Sequence, residues 1–181
     1  CYNTSGGFLH TPLDQLLVNA AASRARGIGG IKLKVGQPDR ALDIRRVEAV
    51  RQHLGDDAPI MVDANQQWDR PTAQRMCRVF EDFNLVWIEE PLDAYDHAGH
   101  AALAAQFDTP IATGEMLTSA AEHGDLIRHG AADYLMPDGP RVGGITPFLK
   151  IAAQAEAAGV MLAPHFAMEL HVHLAAAYPT E

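Results

Sequence analysis

Three carboxylates recur at equal intervals in this chain: Asp63, Glu89 and Glu115, each 26 residues after the one before. Each lies at or next to the end of an apolar run: Ile60-Met61-Val62-Asp63, Trp87-Ile88-Glu89-Glu90 and Ile111-Ala112-Thr113-Gly114-Glu115. Each run leads into a helix-like segment. A repeated strand-plus-helix unit puts equivalent residues at the same height of a parallel sheet, so the three carboxylates are expected to converge at its carboxyl end. Gathered without a counter-charge they would repel one another. A hard divalent cation, Mg2+ before others, is the economical reason to collect oxygen donors of this kind. A single acid at a strand end is more simply a cap for the next helix, but capping does not explain the equal spacing of three.

Candidate bases flank the acids on both sides. Lys32 and Lys34 are two apart in Ile31-Lys32-Leu33-Lys34-Val35, so the strand period puts both on one face and the apolar residues on the other. Two close ammonium groups disfavour each other's charge, and burial acts the same way, so Lys34 is expected to have a pKa low enough for a general base. Beyond the trio, Asp138 closes Tyr134-Leu135-Met136-Pro137-Asp138 and His165 closes Met161-Leu162-Ala163-Pro164-His165, 27 residues later. One repeat apart, they fall on neighbouring strands about 4.8 Å apart, where an Asp-His hydrogen bond is natural. Such a carboxylate fixes the imidazole tautomer and raises its basicity. Among the other histidines, His53, His97, His123 and His129 read as surface residues on helices, and His171 and His173 carry no assigned role.

The elements that must position these groups alternate throughout. Tyr2 to Thr4 reads as the end of a strand, followed by the Gly6-Gly7 loop and a helix from about Thr11 to Arg26. Strand-helix pairs follow: Ile31 to Val35 with Asp39 to Leu54, stopped by Gly55; Ile60 to Asp63 with a helix begun near Asp69-Arg70-Pro71; Val86 to Glu89 with Ala98 to Gln106. The last three are Pro110 to Thr113 with Thr118 to His129, Asp133 to Met136 with Ile145 to Ala158, and Val160 to Ala163 with Met168 to Tyr178. Proline at position 71 suits a first helical turn. Seven such units with short connections suit a parallel (β/α)8 barrel better than an open doubly wound sheet, and no G-x-G-x-x-G or P-loop motif argues otherwise. The expected fold is therefore α/β, a TIM-like barrel with about seven of its eight strand-helix units in residues 1–181.

Composition limits the partners. With 181 residues, 48% of them hydrophobic, the chain can bury one sizeable core. Its 23 acids against 14 Lys and Arg give a net charge of −9, which argues against nucleic acid or an anionic membrane as partner. No apolar run reaches membrane-spanning length. The two cysteines, Cys1 and Cys77, make no disulfide framework, so a reducing cytoplasm is the expected location.

Lys32-Leu33-Lys34, Asp63-Ala64-Asn65, Glu89-Glu90-Pro91, Gly114-Glu115, Asp138 and Pro164-His165 together resemble the enolase superfamily, specifically its mandelate racemase subgroup. The resemblance covers almost the whole chain. It implies that Asp63, Glu89 and Glu115 ligate Mg2+, that Lys34 is a base on the second strand, and that Asp138 and His165 form the subgroup's dyad. A second lysine motif, which the muconate-lactonizing and dipeptide-epimerase branch carries on the strand that here ends at Asp138, is missing. The loops Gly36-Gln37-Pro38, Gln66-Gln67-Trp68-Asp69, Leu92-Asp93-Ala94-Tyr95-Asp96 and Phe166-Ala167-Met168-Glu169 look most like the branch that dehydrates the aldarates L-talarate and galactarate. Substrate contacts for Lys32, Asn65 and Glu115 and a homo-oligomeric state are further implications of that resemblance. So is an amino-terminal capping domain which, with the last barrel strand, is expected to lie outside residues 1–181, a partial catalytic barrel domain.

The chemistry that follows is removal of the proton alpha to a carboxylate. The developing enediolate carries two negative oxygens, which a bound Mg2+ can stabilise as a Lewis acid. Pairing of a Lys or His base with Mg2+ is a known feature of enolase-superfamily sites. Lys34 and His165 would address opposite faces of the alpha carbon. Loss of a beta hydroxyl then gives a keto-deoxy acid, while reprotonation from the other face gives an epimer. The resemblance implies that the talarate and galactarate epimers use opposite bases. Other readings are another acid-sugar dehydratase or racemase of the subgroup, a Schiff-base aldolase using Lys34 as nucleophile, and a non-catalytic binding or structural homologue.

Overall fold

In the computed structural model, residues 1–4 and 7–178 are described, so Gly6 of the expected Gly6-Gly7 loop lies outside the described residues. Among the described residues seven short strands alternate with seven α-helices: β1 (Tyr2–Asn3), α1 (Leu13–Ala25), β2 (Gly30–Lys34), α2 (Arg40–Leu54), β3 (Ile60–Asp63), α3 (Arg70–Phe80), β4 (Ile88–Glu89) and α4 (His97–Gln106). The series continues with β5 (Ile111–Thr113), α5 (Ala120–His129), β6 (Tyr134–Leu135), α6 (Ile145–Ala158), β7 (Met161–Leu162) and α7 (Met168–Ala175). These are seven strand-helix units of a parallel (β/α)8 barrel, as the alternation predicts.

The chain divides into two compact units, one built on β1 to β4 with α1 to α3, the other on β5 to β7 with α4 to α7. Within the first, β1, β2, β3 and β4 pair in sequence order, with Lys34 opposite Asp63 and Asp63 opposite Glu89. Within the second, β5, β6 and β7 do the same, with Thr113 opposite Leu135 and Leu135 opposite Leu162. All of these pairings are parallel. The register is what brings one residue of each strand end to the height of its neighbour's.

Local chemistry sets the boundaries. Asp39 caps α2 by accepting from Ala41 N, and Asp69 caps α3 by accepting from Thr72 N, with Pro71 in the first turn. Ser119 caps α5 and accepts from Glu122 N at 3.2 Å, while Glu122 Oε2 accepts from Thr118 N at 2.7 Å, a reciprocal capping box. That cap is why α5 starts at Ala120 and not at Thr118 as expected. At the other end α7 stops at Ala175, three residues short of the expected Tyr178. The strands are also shorter than the apolar runs suggest, because β4, β6 and β7 pair over only two residues each. The first unit buries Leu16, Val47, Val50, Ile60, Val62, Phe80 and Ile88 completely. In the second, Leu117, Leu126, Leu135, Phe148 and Ile151 form the core. Each such side chain contributes about 1.5–3 kcal/mol. No helix among the described residues is long and apolar enough to cross a membrane.

Candidate active site

In the first unit, β2, β3 and β4 carry four charged groups at the same end. Lys32, Asp63 and Glu89 are buried at 5%, 0% and 0% exposure. Lys32 Nζ donates to Glu89 Oε1 at 2.5 Å and stands 3.4 Å from Asp63 Oδ2, while Lys34 Nζ donates to the same Oδ2. Asp63 Oδ1 accepts from Asn65 N at 2.9 Å, and Glu89 Oε2 accepts from the Trp87 indole N–H at 3.0 Å. Burial works against ionisation of Asp63, but the Lys32 and Lys34 ammonium groups and their hydrogen bonds outweigh it and hold the carboxyl below its usual range. Burial also works against charge on Lys32, yet the Glu89 and Asp63 carboxylates raise its pKa instead.

At Lys32 the effect is the opposite of what two neighbouring ammonium groups alone would produce, because the carboxylates on the neighbouring strands dominate. The attraction across strands is at hydrogen-bond distance, and it exceeds the repulsion along one strand.

In the second unit, the dyad forms as the spacing predicts. His165 Nδ1 lies 2.9 Å from Asp138 Oδ2, and Asp138 Oδ1 accepts from Arg141 N at 2.9 Å. With Nδ1 committed to the carboxylate, Nε2 is the ring nitrogen that can take or give a proton. Nε2 stands 3.3 Å from Glu115 Oε2. That oxygen is buried and accepts no hydrogen bond, which is a position suited to a cation or a proton-bearing partner. His165 is 27% exposed at its side chain, open enough to meet a ligand.

Asp63, Glu89 and Glu115 each offer a buried carboxylate oxygen to a metal ion. The donor set is all oxygen, as a hard cation such as Mg2+ requires. The first unit balances Asp63 and Glu89 with ammonium groups, the second leaves Glu115 Oε2 without a hydrogen-bond donor, and the oxygen chemistry of each of these residues suits a divalent cation.

Backbone strain marks the same places. Asn65 and Gln66 follow Asp63 with φ of 44° and 63°, Glu90 follows Glu89 with φ 41°, and Phe166 and Ala167 follow His165 with φ 52° and 32°. Non-glycine residues in this left-handed region cluster at functional sites. Gln66 supports two of these turns, donating from N to Glu90 O at 2.8 Å and from Nε2 to Glu90 Oε2 at 3.0 Å.

One expectation about histidines fails. His123, read as a surface residue, is completely buried, its Nδ1 2.8 Å from Ser119 O. Burial pushes its pKa below the ordinary 6.5, against the Ser119 carbonyl. His171, given no role, is 5% exposed and bonded to two loops. His53 and His129 are exposed and His97 is half-buried. Trp87 was also missed as a site residue. It lies two positions before Glu89 on the same face of the strand, so the period of two was the available signal.

A family model described as enolase C-terminal domain-like matches residues 15–181. An L-talarate/galactarate dehydratase of Salmonella typhimurium is 70% identical over 181 residues, all of this chain and 46% of the relative. A 3,6-anhydro-alpha-L-galactonate cycloisomerase of Streptomyces coelicolor is 40% identical over 176 residues, 97% of this chain and 49% of the relative. Among solved structures, an L-talarate dehydratase from Polaromonas sp., complexed with Mg and L-glucarate, matches with a TM-score of 0.98 and 87% identity, covering 100% of this chain and 51% of that one. The chain thus spans about half the length of the relatives it matches.

Proposed function

The chain belongs to the enolase C-terminal domain-like family, and from that premise we propose that the intact protein is a Mg2+-dependent acid-sugar dehydratase, a lyase acting on L-talarate and galactarate. The observation that carries the reading is the Asp138–His165 pair at 2.9 Å in a chain that also holds Lys34 against Asp63. These are two separate proton-transfer groups, each oriented by a carboxylate. The relatives at 70% and 87% identity, named for talarate and galactarate dehydration, support the substrate class.

In the proposed mechanism, Asp63, Glu89 and Glu115 hold Mg2+, which supplies Lewis-acid stabilisation of the charge that develops on the substrate carboxylate. Lys32 and Asn65 bind and orient the substrate near that carboxylate. For one epimer Lys34 takes the alpha proton, and for the other His165 does so through Nε2. The electron pair left on the alpha carbon forms the double bond to the beta carbon as the beta C–O bond breaks, and a protonated side chain delivers the proton with which the hydroxyl leaves as water. The resulting enol becomes the keto-deoxy acid. Return of a proton from the opposite base gives the epimer instead. Asp138 keeps the His165 proton on Nδ1, so that Nε2 is free for the exchange. A Schiff-base role for Lys34 is disfavoured because that chemistry has no need of the three carboxylates Asp63, Glu89 and Glu115.

The test is water loss from each aldarate by the intact protein, followed as keto-deoxy acid, with and without Mg2+ after chelation. Turnover restored by Mg2+ is expected. Absence of both turnover and alpha-proton exchange across a set of hexarates would leave a non-catalytic homologue or another member of the subgroup. We further propose that the protein acts as a homo-oligomer in the cytoplasm. Family resemblance supports the first, testable by light scattering, and the unpaired cysteines Cys1 and Cys77 support the second.

A further inference from the structure

The side chain of His171 joins the two loops that carry the dyad. From α7 its Nδ1 lies 2.8 Å from Phe166 O, and its Nε2 lies 3.0 Å from Gly139 N. A carbonyl oxygen only accepts, so Nδ1 must carry the proton, and a backbone N–H only donates, so Nε2 must be the bare nitrogen. One neutral tautomer meets both demands. Gly139 is the residue after Asp138, and Phe166 is the residue after His165.

We propose that His171 is a positioning residue that holds Asp138 and His165 in register. This rests on the function proposed above for that dyad. Three observations on the same ring point to it. First, Phe166 and Ala167 are in the left-handed region, at a cost on the order of 1–3 kcal/mol each, and such a turn persists only where its surroundings enforce it. His171 enforces it twice, through Nδ1 to Phe166 O and through its own N–H to Ala167 O at 2.9 Å. Second, a Cβ on Gly139 would stand 2.9 Å from both His171 Nε2 and Leu170 Cδ2, so the loop after β6 has been brought against the ring as closely as a backbone can come. Third, the ring is itself fixed from below: it is 5% exposed and stacks on Phe148 of α6, centroids 5.4 Å apart and planes at 29°.

The consequence is directional. The dyad bond joins residues on two separate loops, and a hydrogen bond of 2.9 Å weakens steeply with small displacements or misalignment. The backbone ties the two loops as far as the dyad, with His165 N donating to Pro137 O at 3.1 Å, and the His171 ring adds the link just beyond it, between Gly139 and Phe166. His171 touches no reacting atom in the proposed mechanism. It acts through Asp138 and His165, so its loss should fall on one proton-transfer group and spare the other.

The experiment uses the intact protein with His171→Phe, His171→Asn and Gly139→Ala, and two readouts. One is deuterium incorporation at the alpha carbon, measured separately for L-talarate and galactarate. The other is backbone hydrogen exchange of the segments 137–142 and 164–169. Exchange on the epimer whose labelling His165→Asn abolishes should fall about 10–100-fold in His171→Phe and in Gly139→Ala, the range for loss of an outer partner, while labelling of the other epimer is retained. His171→Asn, which keeps a donor toward Phe166 O and loses the acceptor for Gly139, should fall between wild type and His171→Phe. Equal losses on both epimers, or no loss, overturn the proposal, and if His171→Phe does not fold, the other two variants decide it. If the unaltered protein labels neither epimer, the functional reading fails and hydrogen exchange decides the clamp. Protection lost in those two segments alone supports it, and unchanged protection overturns it.

Discussion

The two compact units carry their chemistry in different ways. The unit built on β1 to β4 sets Lys32 and Lys34 against Asp63 and Glu89 on three adjacent strands, and three of the four are almost fully buried. Strand register alone places them. The unit built on β5 to β7 offers a more exposed imidazole–carboxylate pair and a carboxylate oxygen that accepts no hydrogen bond, and Glu115, Asp138 and His165 lie beyond the last paired residue of each strand. In the first unit the electrostatics are set by the sheet. In the second they depend on loops, and on the caps and buried side chains that hold those loops.

The largest expected effect separates the two groups by function. Lys34→Ala should remove solvent deuterium incorporation for one aldarate epimer and His165→Asn for the other, each by about 10²–10⁴-fold, the range for a general base. In the proposed dehydration both groups take part, so overall turnover should fall in both variants. Loss of labelling on both epimers in either variant would mean that the two groups are not independent bases.

A second comparison concerns stability. In chelated protein, Glu89→Gln strips Lys32 of its nearest counter-charge in a buried setting and should cost about 3–5 kcal/mol. Glu115→Gln removes a buried charge that no lysine balances and should cost less than about 1 kcal/mol or stabilise. Denaturant midpoints measured in the same buffer decide it. Equal costs would show that the first unit gains nothing from its ion pairs.

Asp138→Asn should slow only the His165-dependent exchange, about 10–100-fold, because the imidazole loses the partner that fixes its tautomer. A matched loss in the Lys34-dependent exchange would move Asp138 from a positioning role to a general structural one.

How much of this was legible in the sequence follows the same division. Asp63, Glu89 and Lys34 could be read because a strand end repeats with the period of the whole βα unit, and register turns that spacing directly into proximity. Asp39, Asp69 and Ser119 could have been read as caps, because capping is local, within three residues. Trp87 could have been read, since a residue two before Glu89 shares its face. His171 and His123 could not. Both sit on helices among residues that look exposed, and what buries them is a neighbouring element: α6 through Phe148 for His171, and the end of β5 at Gly114 for His123. The direction of the Lys32 shift was also hidden, because the sequence shows the lysine beside Lys34 but not how closely Glu89 approaches it.

His123 supplies the smallest and most specific test. It is completely buried on α5, and burial holds its pKa below 6.5 in the folded state. A histidine with a depressed folded pKa stays neutral as pH falls through 6.5, while the unfolded chain takes up a proton, so acid favours unfolding. Its contribution to stability is therefore present above pH 6.5 and is lost as pH falls from 6.5 toward the folded value. Asp63 is depressed as well, but from 3.8, so in chelated protein its contribution is lost only below that pH. Mild acid should thus loosen the unit of β5 to β7 before that of β1 to β4. Hydrogen exchange resolved by segment between pH 7 and 5 should show α5 losing protection first, and His123→Phe, which cannot be protonated, should flatten that dependence. The same pH slope in α5 with and without the histidine would sink the assignment, and earlier loosening around β2 and β3 would reverse the order of the two units.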